Sequence, residues 1–301
     1  MTLSMWRIAV LSLCVLAVTA GCKEGDETPE DDRTSATPAA GPAAAPAHGP
    51  TFDPAGSDPR AIEIADRVLV ALGGEAAWAG TRNLVFTFAV ARGDTELTRR
   101  THYWDRTTGR HRIEYTDRDQ RSFVVIHTMG STIGDTTASA VLAAAGGAPV
   151  SDPAELRGLK ERAHAMWVND GYWLLMPYKL KDPGVHLAYD GEKTEDGRTW
   201  DVIHLRFDQV GLTPGDQYWA YVNRDTGLLE RWAFRLESMP PDAEPKAFDW
   251  MNWRRYGGIL LSDAKVAVGG NQRIFFPDLA VFDELPASVF TSTAAQTLPA
   301  L

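Results

Sequence analysis

The chain has 301 residues, with 30 lysine or arginine against 40 aspartate or glutamate, a net charge of −10. No basic stripe interrupts that acidic balance, which excludes the electrostatic footprint of a nucleic-acid binder. The Gly-x-x-x-x-Gly-Lys and Gly-x-Gly-x-x-Gly loops, the His-Glu-x-x-His zinc pair and the Gly-x-Ser-x-Gly elbow are all absent, so no familiar catalytic signature points to an enzyme.

The first element is a secretory signal. Arg7 supplies a short basic start, and Ile8 to Val18 is an almost unbroken apolar run. That run is short of the roughly 20 apolar residues a spanning helix needs, and small residues Thr19-Ala20-Gly21 follow it, as at a cleavage site. Cys22 comes next. The arrangement resembles the lipobox of bacterial lipoproteins, which implies cleavage after residue 21 and acylation of the Cys22 thiol. The signal is expected over residues 1–21. The other cysteine, Cys14, lies inside it, so the mature domain has neither a disulfide nor a free thiol. Lys23 stands where an aspartate would, by the same resemblance, retain a lipoprotein at the inner membrane; its presence favours the outer membrane, with the domain facing the periplasm.

Residues 22–57 read as a tether, acidic at Glu24 to Asp32 and then rich in alanine and proline. Such a composition buries too little apolar surface to offset the entropy of ordering. As a flexible chain it spans on the order of 30 Å.

The folded domain is expected over 58–290, followed by a short tail at 291–301. Asp58-Pro59 is an N-cap and first-turn signature. Ala61, Ile62, Ala65, Val68, Leu69 and Leu72 then follow helical spacing until Gly73-Gly74. A further turn is expected over Glu75 to Ala79, seating Trp78. Strands are expected at Leu84 to Val90, Leu97 to Trp104, His111 to Tyr115 and Ser122 to Thr128. The Gly/Ala-rich stretch Gly130 to Val150 reads as a loop. Asp152-Pro153 starts a second helix, expected to run to about Trp167 with Leu156, Leu159, Ala163, Met166 and Trp167 on one face. Strands resume at Trp173 to Met176, Trp200 to Phe207, Gln217 to Asn223 and Leu229 to Leu236, then at Phe248 to Trp253, Ile259 to Val268 and Ile274 to Phe282. About ten strands and two strong helices make one α+β domain.

This order, with the motifs Leu72-Gly73-Gly74, Asp170-Gly171-Tyr172-Trp173-Leu174-Leu175-Met176-Pro177, Trp250-Met251-Asn252-Trp253 and Gly257-Gly258-Ile259, resembles the LolA/LolB-like outer-membrane lipoprotein-sorting superfamily across residues 60–285. The resemblance implies an unclosed antiparallel β-barrel, a curved half-barrel whose concave face is covered by helices and binds acyl chains, lipids or lipoproteins. It implies a monomer that meets the membrane through its N-terminal lipid, with no cofactor and no catalytic residue. The long tether and the lack of an identifiable exposed apolar loop depart from that pattern and set lipoprotein transfer itself apart from ligand binding.

Nine of the ten tryptophans lie in the mature chain. Large aromatics at alternate strand positions either fill a core or line a pocket; Phe86, Phe88, Trp104, Trp173 and Trp232 are the candidate lining residues. His102, His111, His127, His186 and His204 fall singly on separate strands, without the spacing of a metal pair on one element. His204 reads as structural, the carboxylates of Asp182-Pro183-Gly184 and Asp190-Gly191 as turn caps, and Arg254-Arg255 as a solvated edge. A self-filled envelope lipoprotein that docks a partner is the competing reading.

Overall fold

In the computed structural model, residues 51–131, 135–137, 139–208, 213, 215–240 and 242–296 are described. The signal, Cys22 and most of the tether lie outside them. The chain runs α1 (Pro59–Ala71), α2 (Gly74–Gly80), β1 (Asn83–Arg92), β2 (Thr95–Asp105), β3 (Arg110–Thr116), β4 (Ser122–Thr128), β5 (Val141–Ala145), β6 (Ala148–Pro149) and α3 (Pro153–Leu175). A 3₁₀ turn (Met176–Tyr178) leads to β7 (Val185–Glu195), β8 (Arg198–Phe207), β9 (Gln217–Asn223), β10 (Leu229–Arg235), β11 (Lys246–Tyr256), β12 (Ile259–Ala267), β13 (Gln272–Phe275), β14 (Leu279–Phe282) and α4 (Ser288–Thr291).

All fourteen strands join one sheet, ordered β6-β5-β4-β3-β2-β1-β13-β12-β11-β10-β9-β8-β7, with β14 also on β1. Consecutive strands pair as antiparallel hairpins on either side of β1, so the chain builds two meanders that meet there. Strand β1 keeps β2 along one edge; on the other, Asn83 to Phe86 face β14 and Ala89 to Arg92 face β13. The end strands β6 and β7 do not pair with each other, and the result is an unclosed half-barrel.

The two Asp-Pro signatures act as read. Asp58 accepts from Arg60 N at the start of α1, and Asp152 from Glu155 N at the start of α3. Helix α1 then buries Ala61, Ile64, Ala65 and Val68; each fully buried valine or isoleucine contributes about 1.5–3 kcal/mol. The Leu72-Gly73-Gly74 and Gly257-Gly258-Ile259 motifs meet in space. Leu260 N donates to Leu72 O at 2.9 Å, Gly73 has φ +119°, and a Cβ there would lie 2.5 Å from Gly258 O. Only glycine fits that approach.

Four expectations are corrected. Residues Trp173 to Met176 are not a strand: α3 continues to Leu175, buried on all sides over its last turns. A short unbroken apolar run does not distinguish a buried strand from a buried helix. The stretch Gly130 to Val150 is not all loop, since Val141–Ala145 and Ala148–Pro149 form the β5–β6 edge. Alanine has little strand preference, but β4 offers a complete ladder, and Gly146 and Gly147, at φ +58° and +81°, supply the two-residue turn. The turn at Asp190-Gly191 is instead a bulge within β7, between Tyr189 and Glu192, with Gly191 at φ +94°. Residues Ile274 to Phe282 split into β13 and β14 around Pro277, which has no N–H to give a ladder.

Helices α1 and α3 cover one face of the sheet over a large aromatic core. A second core joins the first half of α3 (Leu156, Leu159, Ala163) to Ile113, Tyr115, Phe123, Val125, Val141, Ala143 and Ala145. On the opposite face α4 seals a small cluster around Val85, Tyr103 and Ile126. The buried Arg112 guanidinium fixes the chain beyond α4 there, donating to Ala294 O at 2.8 Å.

Candidate functional site

Under α3 the helix-covered face carries two neighbouring features, an aromatic slot and a buried chain of histidines. Trp104 ends β2 and Trp167 sits mid-way along α3, their rings edge to face at 5.2 Å. Trp78 of α2 stacks on Tyr178 at 4.4 Å. The Tyr178 hydroxyl lies 2.8 Å from Leu260 O and 3.0 Å from Leu72 O, which pins the slot to the meeting of the two glycine motifs. Trp78, Trp104, Trp167, Gly171, Leu175 and Tyr178 border a void of about 50 Å³.

Arg106 lies flat on Trp78, its guanidinium carbon 3.6 Å from the ring centroid, and donates to the carbonyls of Trp78 and Thr81. Burial lowers its pKa to about 10, so it remains a cation at neutral pH. The indole N–H groups of Trp167, Trp173, Trp232 and Trp250 are buried with no acceptor. An unmade hydrogen bond at a buried donor costs about 1–3 kcal/mol.

The histidines are brought together by register. The Arg106-to-Gly109 turn sets Trp104 opposite His111, and His111 lies opposite His127. His102, two residues before Trp104, shares its face. His102 Nε2 is 2.9 Å from Asp170 Oδ2, His102 Nδ1 is 3.0 Å from His111 Nε2, and His111 Nδ1 is 3.1 Å from His127 Nε2. With all three rings neutral, one tautomer set satisfies every contact: each ring donates through Nε2, and His102 and His111 accept through Nδ1, ending on the carboxylate. Arg100 Nε stands 2.8 Å from the same oxygen, and Asn169 Nδ2 donates to Asp170 Oδ1 at 2.8 Å.

The surroundings favour neutral rings. Burial lowers His102, partly opposed by its bond to Asp170. Burial, with His127, His102 and His164 as neighbours, holds His111 well below its ordinary value. Burial, then His164 and Lys160, brings His127 to about 3; burial and Lys160 lower His164. Among the described residues no group of histidine, cysteine or carboxylate side chains is arranged to hold a metal. His111 illustrates why: its two nitrogens point at different neighbours, not at a common centre.

Of the five candidate lining residues, Trp104 borders the slot. Phe86 stacks on His102 at 4.6 Å, and Phe88 meets Phe276 at 5.9 Å. Trp173 and Trp232 pack together at 4.5 Å deep in the main core, Trp173 from the helix and not from a strand. Trp78, Trp167, Gly171, Leu175 and Tyr178 complete the slot, and none of them was among the candidate lining residues. His204 stacks on Trp219 at 4.7 Å on the face away from the helices. The Asp182 carboxylate pairs with Lys179 instead of capping backbone. Arg254 and Arg255 are exposed, Arg254 reaching Asp263 at 3.6 Å.

No known family profile and no curated protein matches the chain. Among solved structures it is similar to a DUF1329 family protein from Desulfovibrio piger, with 12% identity, 80% of this chain and 100% of that chain covered, and a TM-score of 0.45. It is also similar to a LolA superfamily protein from Nitrosomonas europaea, at 11% identity, 77% and 97% coverage and a TM-score of 0.42. A third is the domain of an outer-membrane lipoprotein-sorting protein from Vibrio parahaemolyticus, at 9% identity, 77% and 96% coverage and a TM-score of 0.39. No residue-by-residue correspondence follows at these identities.

Proposed function

We propose that this chain is an envelope lipoprotein, anchored by acylated Cys22 in the outer membrane, whose periplasmic half-barrel holds an acyl chain, a lipid or a lipoprotein between α3 and the sheet. The observation that supports it best is the aromatic slot, whose wall residue Trp167 has a buried indole N–H with no acceptor. An ester or carboxyl oxygen on an apolar ligand would satisfy such a donor. Among the described residues no helix is long and apolar enough to cross a membrane; the anchor proposed is the acylated Cys22. Cys22→Ser is expected to move the protein from the membrane to the soluble fraction; retention in the membrane would contradict the anchor.

The void of about 50 Å³ has room for one or two waters, whereas ligand sites run to roughly 300–1,000 Å³. Binding therefore requires α3 to move outward. Phe86, Phe88, Trp173 and Trp232 would then join Trp104 in lining the opened space. The same small void favours the competing reading, a self-filled domain that docks a partner. Gly171 separates the two. It borders the slot, and a Cβ built on it meets nothing within 4 Å. Gly171→Leu should fold, because glycine inside a helix costs about 1 kcal/mol relative to alanine, and should fill the slot. Titration with a fluorescent acyl probe at pH 7.5 is expected to give saturable binding that weakens at least tenfold in Gly171→Leu. Equal binding by both proteins, or none by either, would remove the slot as the ligand site.

A further inference from the structure

The histidine chain lies where the two cores beneath α3 meet. Leu156, Leu159 and Ala163 pack into the second core, while Trp167, Val168 and Tyr172 to Leu175 pack into the first. Between them the helix turns Lys160, His164 and Asp170 toward three imidazoles, one from each of β2, β3 and β4. We propose that Asp170, His102, His111 and His127 form an acid-operated latch that holds α3 over the half-barrel at neutral pH and releases it when the chain takes up protons. The latch stands on its own geometry; its use, to open the aromatic slot, rests on the ligand-binding reading above.

The proton count shows how it works. The three neutral rings carry three protons and make three donated bonds, so the chain is filled in one direction. A proton bound at His127 Nδ1 lets His127 pass its Nε2 proton to His111 Nδ1, and His111 pass its own to His102 Nδ1. One proton is taken up, no bond is lost, and the added charge comes to rest on His102 beside Asp170.

A second proton has no such partner. Arg100 from β2 already occupies Asp170 at 2.8 Å. Lys160 and His164 of α3 add positive charge near His127, and Lys160 donates to Asp135 O at 3.1 Å. The chain is also walled by Phe86, at 4.6 Å from His102, by Trp167, at 6.2 Å from His111, and by Trp104 opposite His111. Further protonation is accommodated by letting water in, which means separating α3 from β3 and β4. In that open state the imidazoles return to about 6.5, and each raises the opening equilibrium by up to tenfold per pH unit below it. Trp104 and Trp167 border both chain and slot, so the same separation widens the slot.

Hydrogen exchange of the full chain, measured without ligand from pH 7.5 to 5.0 and corrected for intrinsic exchange rates, tests the latch. Amides of 153–175 and of β3 to β5 are expected to lose protection together, by more than tenfold per pH unit below 6.5, and to reach full exchange at a higher pH than those of β7 to β10. His164→Gln, at a half-buried position, should fold normally and reduce that steepness by up to tenfold per pH unit; His111→Gln should reduce it as well. Protection of 153–175 equal to that of β7 to β10 at every pH, or variants as steep as the original, would overturn the latch. A chain that opens with acid yet binds no acyl probe at pH 7.5 keeps the latch and removes the ligand reading.

Discussion

Lowering the pH from 7 toward 5 is expected to cost this domain several kcal/mol of stability, steeply and beginning near pH 6.5. His102 and His111 are fully enclosed and His127 nearly so, and burial lowers all three, His127 to about 3. The native state therefore binds fewer protons than the unfolded chain, whose histidines titrate at about 6.5. Their contribution is fully present above that value and is lost as pH falls from about 6.5 toward the depressed native values. Each imidazole changes stability by up to about 1.4 kcal/mol per pH unit, so three together change it by at most about 4 kcal/mol per unit. A domain of ordinary stability has about 5–15 kcal/mol in all. Asp182 and Asp216, raised by burial, act with the opposite sign and soften the lower end, because the native state takes up their protons first. Urea midpoints at pH 7.5, 6.5 and 5.5 measure the slope. A flat profile across that range would contradict it, and His111→Gln should remove about a third.

The second large effect is expected at Trp232. Its side chain is fully enclosed, and its ring meets Trp173 at 4.5 Å, Tyr218 at 5.2 Å, Tyr172 at 5.4 Å, Phe234 at 5.8 Å and Trp250 at 6.1 Å. Trp232→Ala should cost about 3–5 kcal/mol, toward the upper end because aromatic pairs contribute about 0.5–1.5 kcal/mol each beyond buried area. The orphaned indole N–H works against the native residue. Trp232→Phe keeps most ring contacts and discards that donor, so it should cost far less than the alanine change. Equal losses for phenylalanine and alanine, read from denaturant midpoints at constant slope, would mean that the ring contacts are not what stabilises this core.

Much of the fold is legible in the residues because local signals and tertiary demands agree there. Asp58-Pro59 and Asp152-Pro153 mark helix starts whatever packs on them, and the alternation from Leu84 to Val90 places the larger Leu84, Phe86 and Phe88 in the main core of a strand that is buried on both faces. Legibility fails where the partner decides. Val141 to Ala145 has no strand preference of its own and is ordered by β4. Trp173 to Leu175 is apolar at every position, which fits a helix enclosed by two cores as well as a strand. The site follows the same division. Trp104 could be chosen because a tryptophan at a strand end faces inward, but Trp167 and Gly171 depend on where α3 lies. The histidine chain needed only hairpin register, since the turn at Arg106 to Gly109 already places His111 beside His102; the step to His127 follows from the next hairpin. What the sequence alone could not show is Asp170 arriving from 68 residues away.

Strand β2 and helix α3 carry His102 and Asp170 as well as the slot residues Trp104 and Trp167, so ligand occupancy and proton uptake would act on one helix. That coupling has content only if the half-barrel holds a ligand. Native mass spectrometry of the full chain released from membranes in mild detergent tests this most directly. The account predicts a population heavier than the acylated protein by the mass of one lipid or acyl compound, diminished in Gly171→Leu and diminished again on acidification. A single species at the mass of the acylated chain alone, unchanged by either treatment, would contradict it.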